Sequence, residues 1–67
     1  MKRYFDLYEK KQCAEIDLVD GSPATTAPVS EFERFLHAKL HEISRQKYQA
    51  LREKYSGISA DIRHGEI

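Results

Sequence analysis

The sequence lacks the several cysteines of small secreted proteins and the net positive charge of most nucleic-acid binders. It contains one cysteine, Cys13, and it carries no net charge, because 11 Lys and Arg balance 11 Asp and Glu. A single cysteine cannot form an internal disulfide, whereas small secreted domains normally depend on several bridges. We therefore expect a reducing, cytoplasmic location. Zero net charge also removes the simplest argument for a nucleic-acid binder, which is usually basic.

Long apolar runs and glycine-rich motifs are missing too. No stretch approaches the roughly 18 consecutive apolar residues of a membrane span. The acids Asp6 and Glu9 interrupt the start of the chain before the core of a signal peptide could form. Phosphate-binding glycine motifs, CxxC pairs and the GxSxG elbow are absent as well. We expect no membrane association, no nucleotide-loop enzyme and no structural zinc module.

The length is that of one small domain spanning residues 1–67. A chain of this size buries only about 60% of the surface that its unfolded form exposes, so its core is small. A partner or a second copy would stabilise such a chain. The composition, 40% hydrophobic and 33% charged, is that of a soluble globular protein. We predict a non-enzymatic protein without a cofactor.

Residues 2–20 are predicted to form a β-hairpin. The apolar residues of 14–18 alternate with acids, which is the period of a half-buried strand. Phe5 and Leu7 would face the same core from the partner strand. The pairing lacks the Asn-Gly or Asp-Gly signal of a tight turn, so a helix competes for these residues.

That competing helix would make the fold an all-α helical hairpin. Its face would combine residues spaced 3, 4, 3 and 4 apart: Tyr4, Leu7, Lys11, Ala14 and Leu18. A helix would leave Phe5 and Ile16 on the wrong side. We therefore favour the hairpin.

A long helix is predicted for residues 31–55. It follows a connector, residues 21–30, which contains both prolines and reads as extended. Ser30 and Glu33 have the spacing of a capping box at a helix start. At the far end Gly57 suits the left-handed residue that closes many helices.

The remaining residues, 56–67, are expected to form a frayed tail. The predicted fold is therefore α+β, with an N-terminal β-hairpin packed on one long C-terminal amphipathic helix.

The predicted helix carries two contrasting faces. Its apolar face would pack on the hairpin and consists of Phe32, Leu36, Leu40, Ile43 and Leu51. Its other face contains no acid and consists of Arg34, His37, His41, Arg45, Tyr48, Arg52 and Tyr55. Arg and Tyr dominate binding energy at many interfaces because they combine large contact area with directional hydrogen bonds. We predict that this basic and aromatic face binds a partner.

The function that follows is a small protein-interaction module, acting as an adaptor, inhibitor or regulator. Its partner would be a larger protein with an acidic or mixed surface, and a homodimer would compensate for the small core. The alternative is a nucleic-acid-binding regulator that lays the same helix on a phosphate backbone. That alternative is less favoured because phosphate binders normally carry more excess positive charge.

The sequence predicts neither a metal site nor a catalytic residue. His37 and His41 have a spacing that could hold a metal on a helix, but two ligands from one exposed face do not close a site. We therefore predict a solvated pair rather than a metal site. Cys13 has no helix N-terminus or adjacent base to lower the pKa of its thiol, so we predict no catalytic residue.

Overall fold

The computed structural model describes residues 1–62 and has an α+β fold with one four-stranded sheet and two short helices. In chain order the elements are β1 (Lys2–Leu7), β2 (Gln12–Leu18), a 3₁₀ turn (Pro23–Thr25), α1 (Val29–Leu36), β3 (His41–Ile43), α2 (Arg45–Leu51) and β4 (Ser56–Ile62). The strand order across the sheet is β3, β1, β2, β4. β1 pairs antiparallel with both β2 and β3, and β4 pairs parallel with β2.

β1 and β2 form the predicted N-terminal hairpin. Phe5 lies opposite Ala14 and Arg3 lies opposite Ile16, so these four side chains share one face of the sheet. Phe5, Ala14 and Ile16 are fully buried. Lys11 closes the turn with a left-handed backbone, φ 52°. The alternation of apolar and polar residues therefore places one face of the hairpin in the core.

The predicted long helix over residues 31–55 is wrong, and so is the all-α alternative. α1 ends at Leu36 because His37 takes a left-handed conformation, with φ 54° and ψ 44°. Residues 41–43 then pair with β1, and Ser44 caps a separate helix by accepting a hydrogen bond from the Lys47 N–H at 3.1 Å.

Two short helices can do what one long helix cannot, which is to cover both faces of the sheet. α1 packs on one face, where the Phe32 ring lies 4.7 Å from the Phe5 ring between centroids. α2 packs on the opposite face, where the Tyr48 ring lies 5.1 Å from the Tyr4 ring. Tyr4 and Phe5 are neighbours in one strand, so their side chains point to opposite faces. Burial on both faces therefore favours a broken helix.

The predicted capping box is also wrong. α1 begins at Val29 after Pro28, and Ser30 is not its cap. The Glu33 carboxylate accepts a hydrogen bond from the Leu40 N–H at 3.0 Å, so it holds the loop after the helix instead of the helix start. The connector over residues 21–30 accordingly contains the 3₁₀ turn and the first residues of α1.

The predicted frayed tail is wrong over residues 56–62, which form β4. Gly57 lies in this strand opposite Cys13 and does not end a helix. Ile62 pairs with Leu18 and is 1% exposed, so β4 completes the core. Residues 63–67 of that prediction lie outside the described residues.

The core lies between the sheet and α1. Its buried members are Phe5, Leu7, Ala14, Ile16, Leu18, Ala24, Phe32, Leu40 and Ile62. Arg3 shares this face of the sheet and is the buried charged residue within residues 1–62. The other sheet face is more polar, and α2 covers part of it.

Candidate functional site

The residues predicted to form one binding face do not share one helix. The structure distributes them over α1 and its cap (Arg34, His37), β3 (His41), α2 and its cap (Arg45, Tyr48, Arg52) and the segment that follows (Tyr55). Because α1 and α2 pack on opposite faces of the sheet, the first two lie on the far side from α2. The residues that remain together are Arg45, Tyr48 and Arg52, whose spacing places them along one side of α2.

Tyr48 anchors α2 to the sheet. It is 3% exposed and packs on Tyr4, with 43° between the ring planes. Its hydroxyl accepts a hydrogen bond from Arg52 Nη1 at 3.4 Å. This hydrogen bond raises the pKa of the Arg52 guanidinium, which stays charged. A ring this deeply buried supports a surface from below and cannot itself dock into a partner.

A groove runs between α2 and the hairpin, and we call it the α2 groove. Its volume is about 450 Å³, and it is lined by Lys2, Tyr4, Glu15, Arg45, Tyr48 and Gln49. Lys2 Nζ lies 3.3 Å from Glu15 Oε1, and this contact raises the pKa of the Lys2 ammonium. The α2 groove therefore combines an aromatic floor with charges of both signs at its rim.

Exposed basic side chains lie on α2 and on the turn that follows it. Arg45, Lys47, Arg52 and Lys54 are all exposed, and we call them the α2 basic surface. Glu53 is the acid that interrupts them. Within residues 1–62, the ion pairs are Met1–Asp20, Lys2–Glu15, Arg3–Glu42 and Arg34–Glu31, and they include no member of this group. The charge of the α2 basic surface is thus available to an external anion.

A second concavity, on the other side of the sheet, surrounds the end of α1. It measures about 570 Å³ and is lined by Glu9, Lys10, Ser30, Glu33, Arg34, His37, Ala38 and Lys39. Two of its three Lys and Arg side chains are engaged locally, because Arg34 lies 3.3 Å from Glu31 and Lys10 Nζ donates to the His37 carbonyl at 3.4 Å; the third, Lys39, is exposed. We therefore place the candidate site on α2 rather than here.

The structure separates the two histidines that share a helical spacing in the sequence. His37 caps α1, whereas His41 lies in β3 and stacks on Tyr8 with 4.3 Å between ring centroids. In the part of the chain that the structure describes, no cluster of three or more His, Cys, Asp or Glu side chains could hold a metal ion. Tyr55 is half-buried after α2, where its N–H donates to the Leu51 carbonyl at 2.7 Å.

Cys13 is buried beneath the α2 side of the sheet. It is 0% exposed, and its thiol lies 3.8 Å from the Ser56 carbonyl. Burial raises the pKa of the Cys13 thiol, which is therefore neutral at physiological pH and a poor nucleophile.

Sequence reasoning missed Lys2, Tyr4 and Glu15 as lining residues of the groove. The signal was the hairpin alternation, which places Tyr4 and Glu15 directly opposite each other on the face away from Phe5. A fold with only one helix has nothing to cover that face, so sequence reasoning predicts no groove there.

No helix within residues 1–62 has the length and apolar character that crossing a membrane requires. Comparisons of the chain with protein-family models, with curated proteins and with solved structures found no match.

Proposed function

We propose that this protein is a small, non-catalytic interaction module that binds a larger protein through α2. The observation that carries the proposal is the α2 basic surface, whose cations take no part in the ion pairs of residues 1–62. The partner segment would present acidic side chains to these cations. A neighbouring side chain of the partner would enter the adjoining α2 groove. Adaptor, inhibitor and regulator roles all fit such a surface.

The mixed charge of the α2 groove favours a protein over a nucleic acid. Glu15 lines this groove on the same sheet face as Tyr4, and Asp17 lies on that face two residues further along β2, so a phosphate backbone crossing the groove would approach carboxylates. A protein segment can match both signs, because interfaces combine complementary charges at their rims. The chain as a whole is neutral, which gives a polyanion little general attraction.

Capture from host lysate tests the proposal. The tagged wild-type protein is compared with Arg45→Glu/Lys47→Glu, with and without nuclease. Both residues are exposed, so the variant should retain its circular dichroism spectrum and unfolding midpoint. We expect a near-stoichiometric protein that survives nuclease, and a fall of roughly tenfold or more in its affinity for the variant.

The matched control is Lys10→Glu/Lys39→Glu, which makes the same change of charge beside the α1 concavity on the other side of the sheet. It should capture the same protein as the wild type. Equal loss in both variants would show that net charge alone matters, and it would remove the assignment to α2. Recovery of nucleic acid alone, lost at higher salt, would favour the phosphate-binding alternative.

A further inference from the structure

β4 forms an edge of the sheet and differs from the opposite edge in length. It has 7 residues, whereas β3 has 3. β4 pairs with β2 on one side, and no strand within residues 1–62 pairs with its other side. Successive residues of a strand point their backbone groups to alternate sides, so every second residue of β4 directs its N–H and C=O away from β2.

This edge lacks the usual protection against strand pairing. Natural edges are commonly short, bulged, or marked by lysine or proline. β3 is short, but β4 has the sequence SGISADI, which contains no lysine or proline and one charge, Asp61. Its side chains alternate: Ile58, Ala60 and Ile62 face the core side with Leu18, and Ser59 and Asp61 face the other side.

We infer that β4 pairs antiparallel with β4 of a second copy, about a two-fold axis through Ala60. In this register Ile58 lies opposite Ile62 of the second copy, and Ser59 lies opposite Asp61 of the second copy. Symmetry makes each of these pairs occur twice. Apolar side chains meet on the core side, and a hydroxyl donor meets a carboxylate acceptor on the other side.

The pattern of β4 is complementary to itself, which is why a second copy is the occupant. Ile58 and Ala60 are only half-buried in one chain, and the pairing would extend the apolar layer over them. The neighbouring symmetric register, about Ser59, would instead set Asp61 against Gly57 and leave its carboxylate without a donor. Arg52 is the member of the α2 basic surface that reaches β4, where it lies over Gly57, outside the 58–62 segment that pairs in this register. The proposed function is tested at Arg45 and Lys47, so its outcome and that of the dimer are measured separately.

Analytical ultracentrifugation over a wide range of protein concentration tests the dimer. We expect a reversible equilibrium between monomer and dimer. Ser59→Asp places like charges opposite each other at two symmetric sites and should weaken the dimer roughly tenfold. Ser59→Lys places opposite charges there and should tighten it. Adding Asp61→Lys to Ser59→Asp restores an attractive pair and should recover the wild-type dissociation constant.

Combining Asp61→Lys with Ser59→Asp distinguishes an effect on the dimer interface from an effect on the stability of the monomer. Ser59 also lies beside Glu15 within one chain, so Ser59→Asp can lower the stability of the monomer. Thermal unfolding below the dimerisation range measures that loss independently. A chain that stays monomeric at every concentration would overturn the inference. So would a dimer that is equally stable in all variants, or a weakening that Asp61→Lys fails to reverse.

Discussion

The Arg3 guanidinium and the Glu42 carboxylate form a forked pair across 39 positions of sequence, with Nε to Oε2 at 2.7 Å and Nη2 to Oε1 at 2.6 Å. The remaining nitrogen, Nη1, donates to the carbonyls of Ala24 at 3.0 Å and Ala27 at 2.7 Å. The same group lies 4.6 Å from the centre of the Phe32 ring. One guanidinium therefore connects two strands, the connector and α1.

Breaking this fork should cost more than breaking an exposed ion pair. Glu42→Gln removes the charge that faces a buried guanidinium, and we expect a loss of about 1 to 2 kcal/mol in the free energy of unfolding. The loss is smaller than for a fully buried pair because the Glu42 side chain is 39% exposed. Urea unfolding at neutral pH measures it. Glu31→Gln, whose partner Arg34 is exposed, is the control and should cost about 0.5 kcal/mol or less; equal losses would contradict the prediction.

The effect of Gly57→Ala on the free energy of unfolding should change sign with the residue at position 52. A Cβ at Gly57 would lie 2.5 Å from Cδ and Nε of Arg52, so this side chain must swing away and lose its contact with Tyr48. We expect a loss of about 0.5 kcal/mol in the wild-type background. In an Arg52→Ala background the space is free, and alanine should stabilise the strand by about 0.5 kcal/mol. A double-mutant cycle by urea unfolding checks this, and identical effects in both backgrounds would refute it.

The free energy of unfolding should decrease at alkaline pH because of Cys13. Burial raises the pKa of this thiol above its ordinary value of 9.0, so the folded chain keeps a proton that the unfolded chain loses. The unfolded state then binds fewer protons, and the free energy of unfolding decreases as pH rises above that value. Cys13→Ala should remove this component of the slope. Urea midpoints of both proteins from about pH 7 to 10.5 measure the difference, and parallel profiles would contradict it.

His37→Gly should stabilise the protein. His37 ends α1 with φ 54°, a conformation that costs a residue with a Cβ about 1 kcal/mol and costs glycine almost nothing. We expect a gain of about that size in thermal or urea unfolding. Arg34→Gly, inside the last turn of α1, is the contrasting variant and should lose about 1 kcal/mol. If His37→Gly lowered the stability as Arg34→Gly does, the left-handed His37 would not be under strain.

The hairpin could be predicted because its signal is local. Its strands are consecutive, and the alternation around Phe5 and Ile16 directly reports the face that β1 and β2 bury. The role of Arg3 on that face could not be predicted. An arginine is normally exposed, and the groups that satisfy this one come from residues 24, 27 and 42.

The prediction of a long helix over residues 31–55 is wrong because its apolar residues belong to different elements of the fold. Phe32 lies in α1, Ile43 in β3 and Leu51 in α2, yet their spacing along the chain is that of one continuous helix. No glycine or proline lies between residues 31 and 55 to mark the break. A histidine at the left-handed position leaves no signature in the sequence.

The sequence of β4 alternates as a strand does, but it does not indicate which strand β4 pairs with. Ile58, Ala60 and Ile62 alternate with polar residues, as in a strand, but parallel pairing with the distant β2 requires no adjoining turn. Of the candidate site, Arg45, Tyr48 and Arg52 keep their helical spacing because they lie in α2 and at its C-cap. Its other members were related only by a helix that does not form.

The parallel pairing of β4 with β2 also has a consequence for synthesis on the ribosome. The hairpin can close early, but the β2 edge and the core beside Leu18 stay open until Ile62 has emerged and paired. A nascent chain stalled before β4 would expose a ready strand edge to its neighbours on the same messenger.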